Sequence, residues 1–305
     1  MTTRTNGKRR GKRHSKKVKR RTYYLLWRML VSVMVIIIGI AWLSQMALSI
    51  AAPKEVDVGE NQEGAEAEVE VVTKAAAEED MSSFSQSERE IASYANSKGY
   101  RLSDYSDRLI ELYEKNEEAR QFVLDYPLKK DIDYTIDLGE YKNTETVPLL
   151  MQWDERWGYK EYAGDVFGMT GCGPACLSMV AIYLTGNDAM NPKWMADFAT
   201  ENGYYEEGNG TRWALMSEGA GSLGLNVKEV PLNEERITDN LLAGNPIICI
   251  MGPGDFTDSG HFIVLTGYKD GGFTVNDPNS NQNSQKIWTF EELRYQIRCL
   301  WVYWK

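Results

Sequence analysis

The sequence predicts an α+β fold, on three observations. Residues 174–185 and the segments after them carry apolar residues at helical spacing. From Pro246 onward the pattern shortens to strand-length apolar runs. Between two of these runs, Lys269-Asp270-Gly271-Gly272 reads as a hairpin turn, which joins antiparallel strands. Helices first and antiparallel strands after them is an α+β arrangement, and residues 144–305 supply one domain of it.

The chain ahead of that domain divides by composition. Twelve basic residues and no acid fall within residues 1–28, so the rest of the chain has twice as many acids as bases. Residues 1–22 read as a basic cytoplasmic tail. Residues 23–52 read as one transmembrane signal-anchor helix, because Met29 to Ala52 contains no charged residue. At about 1.5 Å per residue that run spans roughly 35 Å, enough for a hydrocarbon core of about 30 Å. Tyr23, Tyr24, Trp27 and Trp42 suit the two interfaces, and bases before the span with acids after it place the N-terminus inside. The expected location is therefore the cell membrane, single-pass and type II, with the body extracytoplasmic. Cleavage after Ser49-Ile50-Ala51 as a signal peptide is the alternative. Residues 53–82 hold ten acids and few large apolar side chains, the composition of an extended, disordered linker.

A helical segment is expected over residues 83–143. Ser87 with Glu90 fits a capping box. Tyr105, Leu109, Leu112, Ala119, Phe122, Val123 and Tyr126 make an apolar stripe suited to packing on the next domain. Tyr126-Pro127 should end the helix, because the residue before proline avoids the α region. No chemistry is evident in this segment.

Within residues 144–305 the expected helices are 174–185, stopped by Gly186-Asn187, then 192–202, 211–223, 233–243 and a short one at 290–297. The expected strands are 246–251, 261–268, 273–276, 287–288 and 299–304. The cysteines Cys172, Cys176, Cys249 and Cys299 show no disulfide-scaffold spacing. Cys172 and Cys176 lie too close along one helix to bridge comfortably.

The candidate chemistry centres on Cys172, in Gly171-Cys172-Gly173-Pro174-Ala175-Cys176. Cysteine is a good nucleophile as the thiolate, and a helix N-terminus or a neighbouring imidazolium lowers its pKa. Pro174 suits the first helical turn, and Gly171 and Gly173 would allow a tight loop and close approach of a substrate backbone. A buried structural cysteine is the bland alternative. His261 is the only histidine outside the N-terminal tail and begins an apolar strand after a polar turn, so it is the sole candidate base. Asp277 closes the next strand, where the hairpin returns it toward His261. A one-residue slip in register would turn Asp277 to the other face. Gln152 is the candidate side-chain donor to a tetrahedral oxyanion, beside a backbone N–H at the helix start.

Four motifs occur in order: Gln152-Trp153-Asp154-Glu155-Arg156-Trp157-Gly158, Gly171–Met179, Gly260–Tyr268 and Val275-Asn276-Asp277-Pro278. Together, over residues 147–305, the chain resembles the papain-like cysteine peptidases related to the bacteriocin-processing, double-glycine peptidases of cysteine peptidase family thirty-nine, and their stand-alone relatives. The resemblance implies a papain-like fold, with N-terminal helices packed on an antiparallel sheet. It also implies Cys172 as nucleophile, His261 as base and then acid, Asp277 as the orienter of the histidine, and Gln152 as oxyanion donor. The twenty positions between Gln152 and Cys172 match the stand-alone relatives rather than the transporter-fused members. No Gly-x-x-x-x-Gly-Lys-Ser/Thr motif occurs.

The implied activity is thiol-dependent hydrolysis of peptide or amide bonds, with a peptide or cell-envelope amide as substrate. The alternatives are an inactive binding module with a groove lined by Trp153, Trp157 and Trp213, and a thiol acyltransferase or amidase of the envelope. A metal site of Cys172, Cys176 and His261 is disfavoured, since zinc wants four ligands, or three and an open position. No cofactor is expected. The acidic body argues against a nucleic-acid partner. Oligomeric state is not encoded in any feature of the sequence.

Overall fold

The computed structural model describes residues 81–305. The basic tail, the expected membrane span over residues 23–52 and nearly all of the acidic linker lie outside the described residues. Among the described residues no helix is long and apolar enough to cross a membrane.

The helical segment opens with a 3₁₀ turn at Met81–Ser83 and continues as α1 (Gln86–Ser97), α2 (Asp107–Lys115) and α3 (Arg120–Lys129). The capping box lies two residues before the expected one. The Ser85 hydroxyl accepts from Glu88 N at 3.2 Å, and the Glu88 carboxylate accepts from Ser85 N at 2.6 Å. Pro127 does not end α3 but sits inside it. It falls in the last turn, where its missing N–H costs a single bond, and the helix closes two residues later. The apolar stripe packs as expected. Ile91, Leu109, Phe122 and Val123 form a cluster with Tyr159 of the following domain, and the Phe122 and Tyr159 rings stack at 4.3 Å. Phe122 also fills a slot over Gly158 and Gly168, where a Cβ would come within 2.7 and 2.5 Å of its ring. Beyond α3 the segment holds only a 3₁₀ turn, at Gly139–Tyr141.

A tight hairpin, β1 (Glu161–Tyr162) and β2 (Asp165–Val166), leads through the one-turn α4 (Phe167–Thr170) into α5 (Cys172–Thr185). Residues Gly173–Ile182 of α5 are buried, so this is the central helix. It stops at Gly186, which takes the left-handed conformation (φ 69°) that an L side chain resists. Then come α6 (Pro192–Glu201), the small hairpin β3 (Tyr205–Glu206) and β4 (Gly210–Thr211), and a π-helical turn (Leu215–Gly219) running into α7 (Ala220–Ser222). The helix expected over 211–223 therefore starts late, because Thr211 is taken up in pairing with Tyr205. The remainder is β5 (Asn226–Glu229), α8 (Glu234–Leu242), β6 (Ile247–Met251), β7 (His261–Lys269), β8 (Gly272–Asn276), α9 (Asn281–Gln285), β9 (Ile287–Trp288), α10 (Phe290–Arg294) and β10 (Ile297–Trp304). Of these, β5 and α9 are absent from the sequence-based expectation.

Six strands form one antiparallel sheet in the order β5-β10-β6-β7-β8-β9. The turn between β7 and β8 has positive φ at both central residues, Asp270 (55°) and Gly271 (80°), as a two-residue hairpin requires. Alternation along the strands feeds two cores. Ile248, Ile250, Phe262 and Val264 join α5 and α6 on one face. Ile247, Cys249, Ile263 and Leu265 join Ile237 and Leu241 of α8 and Leu293 of α10 on the other. Helices therefore cover both faces of the sheet, not only the face toward the N-terminal helices. The reason is that the strands are apolar on both sides: all five residues of β6 are buried.

Candidate active site

The site gathers the start of α5, the start of β7 and the end of β8. Cys172 is the first residue of α5. Most of the longer helices have a Ser or Asn side chain bonded to their first N–H groups, but Gly171 provides α5 with none. The positive end of the central helix is thus left open to an anion.

The flanking glycines serve packing. A Cβ on Gly171 would run into the Phe167 ring, and one on Gly173 would meet the Thr211 side chain at 2.5–2.7 Å. The close neighbours are parts of the protein, where the sequence suggests an approaching substrate.

His261 is the first residue of β7, opposite Met251 of β6. Its Nε2 lies 2.7 Å from Asp277 Oδ1, with both side chains buried. The register left open by the sequence brings Asp277 to His261. Val264 pairs with Asn276 and Leu265 with Val275, and an irregularity follows between Leu265 and Gly267. Asp277 is held by two further bonds: Asn279 N donates to Oδ1 at 2.8 Å and Asn283 Nδ2 donates to Oδ2 at 2.8 Å. A carboxylate engaged in this way fixes which ring nitrogen faces it, and so leaves Nδ1 of His261 for another partner.

Cys172 lines the same cleft, close enough for its thiol and the imidazole to shift each other's ionisation. Burial opposes ionisation of the thiol. The hydrogen bond and charge of His261, with backbone N–H groups of Phe262 and Gly173, overcome it and bring the Cys172 pKa below its ordinary value. For His261 burial disfavours the cation, but the charge and hydrogen bond of Asp277 and the contact with Cys172 raise its pKa to about 10. The two shifts point the same way, toward a thiolate–imidazolium pair.

Gln152 is buried in the same cleft. Its backbone N donates to Pro278 O at 2.7 Å, which ties it to the loop after Asp277 and fixes where its side chain starts. Its Nε2 donates to Gly168 O at 2.8 Å, while Oε1 is buried with no hydrogen-bond partner among the described residues. Exchanging the two ends of the amide would set two oxygens against each other, so this orientation is the physical one. One N–H of Gln152 is therefore committed to the backbone before α5, and the other is uncommitted.

Two depressions meet at Cys172. The larger, about 640 Å³, is lined by Gln152, Cys172, His261 and Asp277, by the loop 254–260 and, from α2, by Arg108 and Lys115. The smaller, about 420 Å³, is lined by Cys172, Thr211, Arg212, Trp213 and Phe262. Of the three tryptophans expected in a groove, only Trp213 takes such a place: it is exposed and stands edge-on to Trp301. Trp157 is wholly buried in the main core. Trp153 packs against the helical segment and donates from Nε1 to Asn279 O at 3.3 Å. All four cysteines are free thiols, and Cys176 lies in the core instead of facing His261. Among the described residues no group of three or more His, Cys, Asp or Glu is placed to hold a metal ion.

Sequence reasoning misses Asn279 and Asn283. The signal available is the polar run Asn279-Ser280-Asn281-Gln282-Asn283 directly after Asp277, which can turn a backbone N–H and a side-chain amide back onto the carboxylate.

The profile of the Peptidase_C39 like family matches residues 144–303, more than half of the chain. The chain belongs to the C39-like peptidase family. Two solved structures are similar to it. One is the peptidase domain of Streptococcus ComA, a bi-functional ABC transporter involved in a quorum-sensing pathway. It is 21% identical, with 44% of this chain and 89% of that one covered and a TM-score of 0.34. The other is a C39-like peptidase candidate from Bacillus anthracis, 17% identical, with 57% and 98% covered and a TM-score of 0.31. No curated protein matches the chain.

Proposed function

We propose that this C39-like protein is a cysteine peptidase anchored in the cell membrane by residues 23–52, with its catalytic domain extracytoplasmic and a peptide or cell-envelope amide as substrate. The observation that carries the catalytic reading is the convergence in one cleft of an uncapped helix start bearing Cys172 and of His261 bonded to the buried carboxylate of Asp277. The basic tail and uncharged run of the sequence support the anchoring.

In this reading Cys172 Sγ attacks the carbonyl carbon of the scissile amide. The oxyanion that forms accepts hydrogen bonds from a backbone N–H at the start of α5 and from the uncommitted N–H of Gln152. The tetrahedral intermediate collapses, the C–N bond breaks, and the His261 imidazolium gives its proton to the leaving amine. A thioester on Cys172 remains. Neutral His261 then takes a proton from water, the hydroxyl adds to the thioester carbonyl, and the C–S bond breaks to release the acid. Asp277 holds the ring in one tautomer and stabilises its charged form throughout.

Profiling the full chain with a peptide library tests this reading, with Cys172→Ala and His261→Ala as controls. Cleavage products are expected from the wild type and from neither variant. Cleavage that survives in Cys172→Ala would overturn the reading.

A further inference from the structure

The helical segment of residues 83–143 lies ahead of the stretch that matches the family. It nonetheless reaches the loop that carries Asp277. Asn116, at the end of α2, donates from Nδ2 to Asn279 O at 2.8 Å and to Asn279 Oδ1 at 3.1 Å. Its Oδ1 accepts from Glu118 N at 3.0 Å, which fixes the turn bearing Glu118.

Glu118 then takes three donors from the loop. Its Oε1 accepts from Ser280 Oγ at 2.9 Å and Gln282 N at 3.2 Å, and its Oε2 accepts from Asn281 N at 2.8 Å. These are the cap residue and first two residues of α9. The same short helix supplies Asn283, which donates to Asp277 Oδ2, and Ser284, whose hydroxyl accepts from Asp277 N at 2.9 Å.

We propose that Glu118 is a positioning residue of the peptidase: it clamps α9 so that Asn283 and Ser284 hold Asp277 against His261. The helical segment is then a working part of the active site. A five-residue helix of Asn, Gln and Ser has little propensity of its own, so its order depends on the bonds at its start. Glu118 supplies a full negative charge there, which suits donors at a helix start. Burial works against that charge, and the bonds from Gln282, Ser280 and Asn281 outweigh it, keeping the carboxylate ionised.

This inference rests on the reading of Cys172 as an activated thiol. Its test is the rate of iodoacetamide alkylation of Cys172 as a function of pH, followed by peptide mass mapping in the full chain. Glu118→Ala is expected to shift the midpoint of the profile upward by about one pH unit, and so to slow alkylation roughly tenfold at pH values below the wild-type midpoint, where the thiolate fraction changes about tenfold per pH unit. Glu118→Gln keeps an oxygen for Ser280 and Gln282 and should fall between the two. Glu88→Ala removes the capping box of α1, has no contact with the Asp277 loop, and should leave the profile unmoved even where it lowers the melting temperature. If Glu118→Ala fails to fold, Glu118→Gln carries the test. A wild-type midpoint below the ordinary thiol range with unchanged profiles in the folded Glu118 variants would overturn this inference alone. A wild-type Cys172 that alkylates like a free cysteine would overturn the catalytic reading and this inference with it.

Discussion

Cys172 and Cys176 stand one turn apart on the same helix, and their surroundings treat the same thiol in opposite ways. Cys172 is at the open N-terminus, half-buried, in contact with His261 and with backbone N–H groups; its pKa is lowered. Cys176 is wholly buried among apolar side chains; burial, with the nearby Cys172 and Asp277 charges, raises its pKa well above the usual thiol range. Burial disfavours both thiolates. What separates the two cysteines is the supply of donors and positive charge, which exists only at the helix start.

The comparison can be broken most forcefully by removing the charge. His261→Ala should slow alkylation of Cys172 near pH 6 by roughly 10²-fold, the low end of what an acid–base partner contributes, and leave Cys176 unreactive. Equal rates in wild type and variant would show that the helix start alone activates the thiol.

Asp277→Ala should act in the same direction but less, by roughly tenfold, because the imidazole remains and loses only its anchor. The pH profile sharpens this. The thiolate is lost as pH falls through the lowered Cys172 pKa. The imidazolium persists until pH rises through about 10. The wild type should therefore hold the ion pair over a broad window between these limits. In Asp277→Ala the upper limb should move to lower pH, as read from the imidazole proton shifts of His261 by NMR.

The smallest expected effect is on the other side of the comparison. Cys176→Ala should leave the alkylation profile of Cys172 in place and cost about 1 kcal/mol of stability through lost packing, measured by denaturant unfolding. A shifted profile would mean that the core cysteine tunes its neighbour.

Much of this site is legible in the sequence because its signals are local. Asp270-Gly271 marks a hairpin through its own backbone preference, and the strands it joins carry His261 and Asp277 at their far ends. Pro174 and Gly186 bracket the central helix in the same way. The capping box is ambiguous because Ser85-Glu88 and Ser87-Glu90 have identical spacing, and the helix starts at Gln86, one residue ahead of Ser87. Pro127 reads as a stop because the cost of proline depends on how near the helix end it falls. The roles of Gly171 and Gly173 depend on Phe167 and Thr211, and the second of these arrives from far along the chain. The helix at Asn281–Gln285 escapes a local reading because its bonds to Glu118 span more than 160 positions.

The placement of β10 has a consequence for how the protein is made. This strand is the last element described, yet it lies inside the sheet, between β5 and β6. Until residues 297–304 have left the ribosome, β5 has no neighbour and β6 has one free edge. The pairing of Trp301 with Ile248 and of Val302 with Ile247 cannot form before then. The sheet that aligns His261 with Cys172 is therefore completed only after every other strand has been made. A chain cut short before Ile297 would expose two strand edges, an invitation to aggregate, in place of a smaller working domain.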